Sequence, residues 1–306
     1  MKFSLVIPLA PGRNAEIIDS IKELNYPKKE YEVIVREGLN PSENRNSGAE
    51  VAKGDIIVFL DDDATLDINY LKEAEEFFRK YKEIDIVGGA QLTPKWQRGF
   101  GKISGYALSS KFGAWKMGTR YAQDKLKLDA DETMLTSANL LCKKGVMKKI
   151  QFDPNLFPGE DPKFIEDAKD NGLKVAYCPD LILYHKRRET IKALIKQIAS
   201  YGRTRTKKEK FADTLKRPFF LIPLLFCVYL FATLILLVLE LLKINLIPNV
   251  ILFFPLGLYL LLDFIFSIYE SIKNKNLFAI FLLIFIFPII HLSYGFGMIK
   301  GYINKI

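Results

Sequence analysis

From Pro218 onward the chain is almost entirely Leu, Ile, Phe and Val, and no other feature constrains its folding so tightly. Three apolar blocks, near 219–242, 247–269 and 277–299, are each long enough to span hydrocarbon. Any one of them alone would also suit a wholly buried soluble helix. Three in succession, separated by short Lys- or Asn-bearing connections, read as a C-terminal membrane anchor of about three helices. With 306 residues and 49% hydrophobic content, the chain still has room for one substantial soluble domain ahead of that anchor. The start, MKFSLVIPLAPG, has a short apolar run with Pro8 inside it and no small-residue cleavage site, so it reads as a first β-strand and not as a signal peptide. Cys142, Cys178 and Cys227 are odd in number and scattered, which suggests neither a disulfide framework nor a metal cluster and places the soluble part in a reducing cytosol.

The formal charge of +9 is local. Lys186, Arg187, Arg188, Lys192, Lys196, Arg203, Arg205, Lys207, Lys208, Lys210, Lys216 and Arg217 all precede the first apolar block. Basic residues on one flank of a membrane segment mark its cytosolic face and meet anionic head groups, so the excess points to a membrane surface and away from nucleic acid. Within the same stretch Ile191, Leu194, Ile195 and Ile198 recur at helical spacing, the pattern of a basic amphipathic segment at the interface.

Ahead of it, residues 3–9 read as a strand, Asn14 to Leu24 as a helix, Tyr31 to Val35 as a strand reaching Arg36-Glu37-Gly38, Asn44 to Ala52 as a helix, and Asp55 to Leu60 as a third strand. This β-α-β-α-β order is a nucleotide-binding half-fold. Tyr70 to Tyr81 follows as an amphipathic helix and Asp85 to Val87 as a strand closing on Gly88-Gly89. The Gly- and aromatic-rich stretch from Lys95 to Tyr121 lacks periodicity and reads as a mobile flap or an acceptor-side segment. Thr136 to Cys142 is a short apolar stretch, Pro162 to Asn171 a helix that Gly172 caps, and Val175 to Tyr177 and Leu181 to Tyr184 are two short strands.

The third strand carries the most chemistry. Its run Ile56 to Leu60 ends in Asp61-Asp62-Asp63, at the edge where open α/β sheets hold their ligands. Three adjacent carboxylates need a cation, and hard oxygen donors suit Mg²⁺ or Mn²⁺ carrying a phosphate-bearing substrate. Asp63-Ala64-Thr65 would also serve to start the next helix. Two enzyme classes share the local pattern. Asp61, Asp63 and Thr65 resemble the first motif of haloacid-dehalogenase-type phosphatases, with Asp61 as nucleophile, and the strand ending in D-x-D also resembles the metal and nucleotide-sugar motif of GT-A glycosyltransferases.

Four further pieces decide between them: SLVIPLAPGRN at 4–14, RNSGAEVAKGDIIVFLDDD at 45–63, PGED at 158–161, and YHKRR with a later YGR at 184–188 and 201–203. In that order they resemble the inverting, GT-A-fold glycosyltransferases of family 2, of the membrane-anchored bacterial and archaeal kind, over about residues 3–205. The phosphatase motif instead opens its domain, whereas this strand follows two others. The resemblance implies an α/β GT-A nucleotide-sugar-binding (Rossmann-like) domain at 1–205, a basic membrane-interface linker at 206–218 and a transmembrane region at 219–306.

Residue by residue, the resemblance implies that Pro8, Leu9 and Arg13 at the first strand's end, together with Glu37 and Arg45, bind the donor nucleotide. It places Asp61 or Asp62 near the ribose, and Asp63 with His185 on a Mn²⁺ or Mg²⁺ ion that bridges the diphosphate. Asp161 matches the general base, Glu160 its orienting neighbour, and Arg187 and Arg188 the diphosphate grip. The chain lacks the Q-x-x-R-W of processive synthases and has no Trp after Trp115, so single-sugar transfer is expected. The implied partners are a nucleotide-sugar donor and a lipid-linked acceptor at the cytosolic membrane face. A degenerate nucleotide-sugar-binding scaffold and a membrane phosphohydrolase are the alternatives. Alternation of three crossings puts the loop near Lys243 and Asn245 outside, Lys273 and Lys275 inside, and the C-terminus outside, with Lys300 and Lys305 pulling the other way; Pro288 and the Gly-rich end of the third block leave open that it turns back instead of crossing. Asp263 and His291, inside apolar blocks, are expected to face protein or water.

Overall fold

The computed structural model describes residues 1–243 and 248–304, so Asn245 and Lys305, which entered the topology expectation, lie outside the described residues. Seven strands follow in chain order: β1 (Phe3–Leu9), β2 (Tyr31–Glu37), β3 (Ile56–Leu60), β4 (Ala64–Leu66), β5 (Ile86–Leu92), β6 (Asn139–Lys143) and β7 (Val175–His185). The α-helices are α1 (Ile17–Lys22), α2 (Pro41–Val51), α3 (Tyr70–Lys80), α4 (Gly99–Ser109), α5 (Lys111–Ala114), α6 (Glu160–Asp170), α7 (Ile191–Lys208), α8 (Phe211–Leu215), α9 (Ile222–Leu241), α10 (Asn249–Lys273) and α11 (Ile280–Ile303).

Two compact units divide the chain: Met1–Gln97 with Trp115–Arg187, and Arg98–Ala114 with Arg188–Ile306. The stretch read as a flap contributes α4 and α5 to the second unit, and the basic helix α7 belongs there as well. The missing periodicity at Lys95 to Tyr121 has a simple cause. Gly101, Ile103, Ser104, Gly105, Tyr106, Ala107 and Leu108 are all buried, so α4 has no polar stripe to set against an apolar one.

In the first unit the strands form one sheet in the order β2-β1-β3-β6-β5-β7-β4. β1 runs parallel to β2 and β3, β6 runs antiparallel to both β3 and β5, β7 is parallel to β5, and β4 is antiparallel to β7. Alternate residues feed two cores. Leu5, Ile7, Val58 and Leu60 pack with Ile17, Ile21, Tyr70 and Phe77 on one face, and Val6, Ile57 and Phe59 pack with Ala49, Phe152, Phe164 and Ile165 on the other. Both faces are covered, which is why β3 reads as an unbroken apolar run and β1 as one that only Ser4 interrupts. α1 and α2 leave β1 and β2 for opposite faces, so the C-terminal ends of β1 and β3 border the crevice where such folds bind ligands.

Three local expectations change. β5 does not close on Gly88-Gly89 but passes through them, because a Cβ at Gly89 would overlap the Leu181 backbone carbonyl of β7. The two short strands at 175–184 are one strand that continues to His185. Ala64, Thr65 and Leu66 form β4 and not a helix start, since their backbone pairs with Leu183, Tyr184 and His185.

In the second unit, α7 turns Leu194, Ile198 and Gly202 inward and packs along α11, with Ala199 backed by Gly297 and Thr206 by Gly301. Small residues let the two backbones approach closely. His291 uses both ring nitrogens, one 2.8 Å from the Tyr259 hydroxyl and the other 2.8 Å from the Phe112 carbonyl oxygen, and so ties α5, α10 and α11 together. Asp263 is buried and accepts from the Ser267 hydroxyl at 3.3 Å. Three helical stretches, Pro218–Leu241, Asn249–Lys273 and Leu277–Ile303, are long and apolar enough to cross a membrane.

Gly89→Ala forces backbone against backbone at the β5–β7 seam and should destabilise the protein by about 2 kcal/mol or more. Gly145→Ala, whose new methyl meets nothing within 4 Å, should change little. Thermal unfolding of the two variants in detergent checks the contrast.

Candidate functional site

The acidic triplet begins where β3 ends, and backbone bonds fix it. The Asp61 carbonyl accepts from Ala64 N at 3.4 Å and the Asp62 carbonyl from Ile17 N at 3.0 Å, which fastens the triplet to α1. Asp61 and Asp63 each bring a carboxylate oxygen toward His185, while Asp62 faces Arg13. Arg13 follows Gly12, whose φ of +77° is left-handed and suits glycine. Its Nε stands 3.0 Å from Asp62 Oδ2 and its Nη2 3.3 Å from Asp63 Oδ2. Burial raises the pKa of Asp62, with Arg13 opposing and the neighbouring carboxylates reinforcing the rise. Asp63 is held well below the usual carboxylate range by its hydrogen bond to His185, helped by Arg13, in spite of partial burial.

His185 reaches the triplet because β4 pairs with β7 in a register that sets Ala64 opposite His185. Its Nε2 lies 2.9 Å from Asp63 Oδ1. One donor atom from each of Asp61, Asp63 and His185 falls within 4.8 Å of the others. Two carboxylate oxygens and an imidazole nitrogen fit a divalent cation such as Mn²⁺ or Mg²⁺. Asp61 thus joins the metal-type group that the sequence reading limited to Asp63 and His185, and the two-residue spacing is the signal that points to it.

Below this group lies a buried ion network. The RNSG segment of α2 divides its work. Asn46 exchanges two hydrogen bonds with the Phe152 backbone, Gly48 admits the Val6 side chain, and Arg45 is left aimed at the acids. Arg45 is 5% exposed and bridges Glu160 Oε1 at 3.0 Å and Asp61 Oδ1 at 3.2 Å. Burial alone would lower its pKa, but Asp161, Asp61 and Glu160 raise it, so the guanidinium stays charged. Glu160 opens α6 after Gly159, which has a φ of +131°, and its Oε2 accepts from Gly159 N at 2.9 Å. Desolvation, with the Asp161 charge beside it, pushes Glu160 up to about 7 against the pull of Arg45. Next to it, Asp161 Oδ1 is buried and has no hydrogen-bond partner among the described residues.

The remaining candidates are placed as follows. Leu9 and Glu37 stand side by side at the ends of β1 and β2, Glu37 exposed and Leu9 half-buried, and Pro8 is buried beside Arg36. The Leu9 carbonyl already accepts from Gly38 N at 2.9 Å. Arg187 is buried. Its guanidinium donates to the Gln91 carbonyl and to Thr93 Oγ1 and lies 4.6 Å from the centre of the Tyr121 ring. Gln97, which no motif singles out, holds the Arg187 backbone at both ends, donating to its carbonyl at 2.8 Å and accepting from its N–H at 2.9 Å. Arg188 is exposed and begins the other unit.

A family model described as glycosyltransferase-like family 2 matches residues 4–202. Among solved structures, the mannosyltransferase PcManGT from Pyrobaculum calidifontis, solved in complex with GDP-Man and Mn²⁺, is similar over all of this chain and 88% of its own, with a TM-score of 0.54 and 14% identity. At that identity the likeness is one of fold. Residues 1–349 of TarS from S. aureus match 67% of this chain at 17% identity and a TM-score of 0.46, and the chain spans 65% of the length of that fragment, just under two thirds. No curated protein matches the chain significantly.

Because the pKa of Glu160 stands above its ordinary 4.5, the folded protein binds a proton there that the unfolded chain releases, and this contribution to stability drains away as pH rises from about 4.5 to about 7. Glu160→Gln cannot ionise. Its melting temperature relative to the parent should therefore climb over that window and level off above it, which thermal unfolding at stepped pH measures.

Proposed function

The chain belongs to the glycosyltransferase-like family 2, and from that membership we propose that it moves a single sugar, with inversion, from a nucleotide-sugar donor to a lipid-linked acceptor at the cytosolic membrane face. The acceptor class is a polyprenyl or dolichyl phosphate or the glycan growing on it. The observation that carries the proposal is the unpaired buried oxygen of Asp161, set beside Glu160 in the same ion network that Arg45 extends to Asp61.

In this reading Asp161 takes the proton from the acceptor hydroxyl as that oxygen attacks the anomeric carbon. The new carbon–oxygen bond forms on one face while the bond to the diphosphate breaks on the other, and a single displacement inverts the centre. Glu160 and Arg45 keep Asp161 beside the donor end of the site. Asp61, Asp63 and His185 would hold the divalent cation, which when bound neutralises charge on the departing nucleoside diphosphate. Leu9 and Glu37 mark the nucleotide end, with Asp62 nearer the ribose. Arg13, half exposed and already paired with two of the acids, is the cation we assign to the diphosphate. Arg187, whose guanidinium is engaged by Gln91, Thr93 and Tyr121, is assigned to holding the end of β7. The three apolar helices and the basic run before them support a membrane-held acceptor.

Asp161→Asn keeps shape and removes the base, so transfer should fall by about 10²–10⁴ while donor binding persists. Release of nucleoside diphosphate from candidate nucleotide sugars, with Mn²⁺ present, measures it, and wild-type turnover by Asp161→Asn would sink the base assignment. Release of inorganic phosphate instead would turn the reading toward a phosphohydrolase.

Asp63→Ala should lose Mn²⁺ binding, followed by calorimetry, and with it the thermal shift that a bound donor gives the parent. Chelator should erase the same shift in the parent protein. A donor shift of full size in excess EDTA would count against a metal at this site.

A further inference from the structure

The end of α11 lies beside the start of α9. The Tyr302 ring meets the Phe211 ring edge-on at 5.6 Å, and its hydroxyl is 3.5 Å from Thr214 Oγ1, just ahead of the stretch Pro218–Leu241. Along the same line Gly301 backs onto Thr206 and Gly295 onto the Pro223 carbonyl, while Cys227 Sγ is 3.7 Å from the Leu292 carbonyl oxygen. A helix crossing for a third time would bring Tyr302 toward the Leu241 end of α9, roughly 30 Å away at 1.5 Å per residue.

α10, by contrast, returns. Asn249 donates to Glu240 at 2.9 Å where α9 ends, and the Tyr259 ring stacks on Phe226 at 4.3 Å, near where α9 begins. Fourteen residues of α10 remain beyond Tyr259, roughly 21 Å of helix, against roughly 12 Å between Phe226 and Pro218. α10 therefore regains the level from which α9 departed, and α11 starts there after a short turn.

We propose that α9 and α10 cross the membrane and that α11 does not: it lies in the leaflet on the side of the basic run, with both of its ends on that side. Its burial supports this, since 39% of its apolar window is covered by protein, against 17% for each of the other two. What stays most open on α11 is a stripe, Phe281, Phe285, Phe296 and Ile303, each between 59% and 69% exposed, opposite the face that α7 covers at Gly297 and Gly301. Such a stripe fits the acyl chains of one leaflet. Charge agrees as well. With two crossings Lys273, Lys275 and Lys300 join Lys207, Lys208, Lys210, Lys216 and Arg217 on one side, leaving Lys243 as the cation across from them among the described residues. Three crossings would instead carry Lys300 to the opposite side.

Labelling of one introduced cysteine at a time, in sealed cells and in inverted vesicles, tests it with Lys216→Cys, Lys243→Cys, Lys275→Cys and Asn304→Cys. Cys142, Cys178 and Cys227 are buried and stay in place, with the parent chain as background. Lys216→Cys, Lys275→Cys and Asn304→Cys should share one labelling pattern and Lys243→Cys show the reverse. Asn304→Cys grouping with Lys243→Cys overturns the proposal, and so does one pattern for all four. An epitope at the C-terminus of the otherwise unaltered chain, digested by protease in the same two preparations, gives the answer again should a cysteine variant fail to fold. It should be cut in whichever preparation exposes Lys216, and cutting in the other one overturns the proposal.

Discussion

Everything at the site hangs on one buried guanidinium. Arg45 joins the end of β3, through Asp61, to the start of α6, through Glu160, which lies 115 residues further along the chain than the arginine itself. Three carboxylates around it keep it charged, and it in turn limits how far burial raises Glu160. Removing one partner from such a buried set typically costs about 3–5 kcal/mol, because the charge left behind has lost its compensation. The cost of burying these ions is consistent with a role beyond stability: Arg45 fixes where the PGED turn stands relative to the acidic triplet.

A second constraint acts on the opposite flank. His185 reaches Asp63 only because the three-residue strand β4 is in register with β7, and the end of β7 is pinned where Arg187 is gripped by Gln97 and by the Gln91 carbonyl. The metal-type group is therefore assembled from two sides, one rooted in the centre of the sheet and the other at its edge.

Much of this was legible in the chain. β3 is apolar without a break because two cores cover it, and that continuity, with the acids at its end, pointed to the candidate site. The PGED turn and the RNSG segment stood out through the family resemblance, and the structure gives Asn46, Gly48 and Arg45 of the latter their separate tasks. What stayed hidden depends on contacts distant in sequence. Gly88-Gly89 looks like a turn until the Leu181 carbonyl is seen to need the space. α4 is buried all round and so carries no helical stripe. Arg187 has the composition of an anion ligand, and only the position of Gln97, Gln91 and Thr93 shows that its hydrogen bonds are engaged within the fold.

The two arginines that touch the triplet differ in one respect that ionic strength separates. Arg13 is 51% exposed on its side chain and Arg45 only 6%. At about 0.15 M salt the screening length is roughly 8 Å, and exposed ion pairs retain only about 0–1 kcal/mol. Salt, or any competing anion, thus loosens Arg13 from Asp62 and Asp63 while the interior Arg45 bridge is shielded from it. The cleft has an outer clamp that yields to solution conditions and an inner one that does not, so its mouth can respond to dissolved anions without disturbing the alignment beneath.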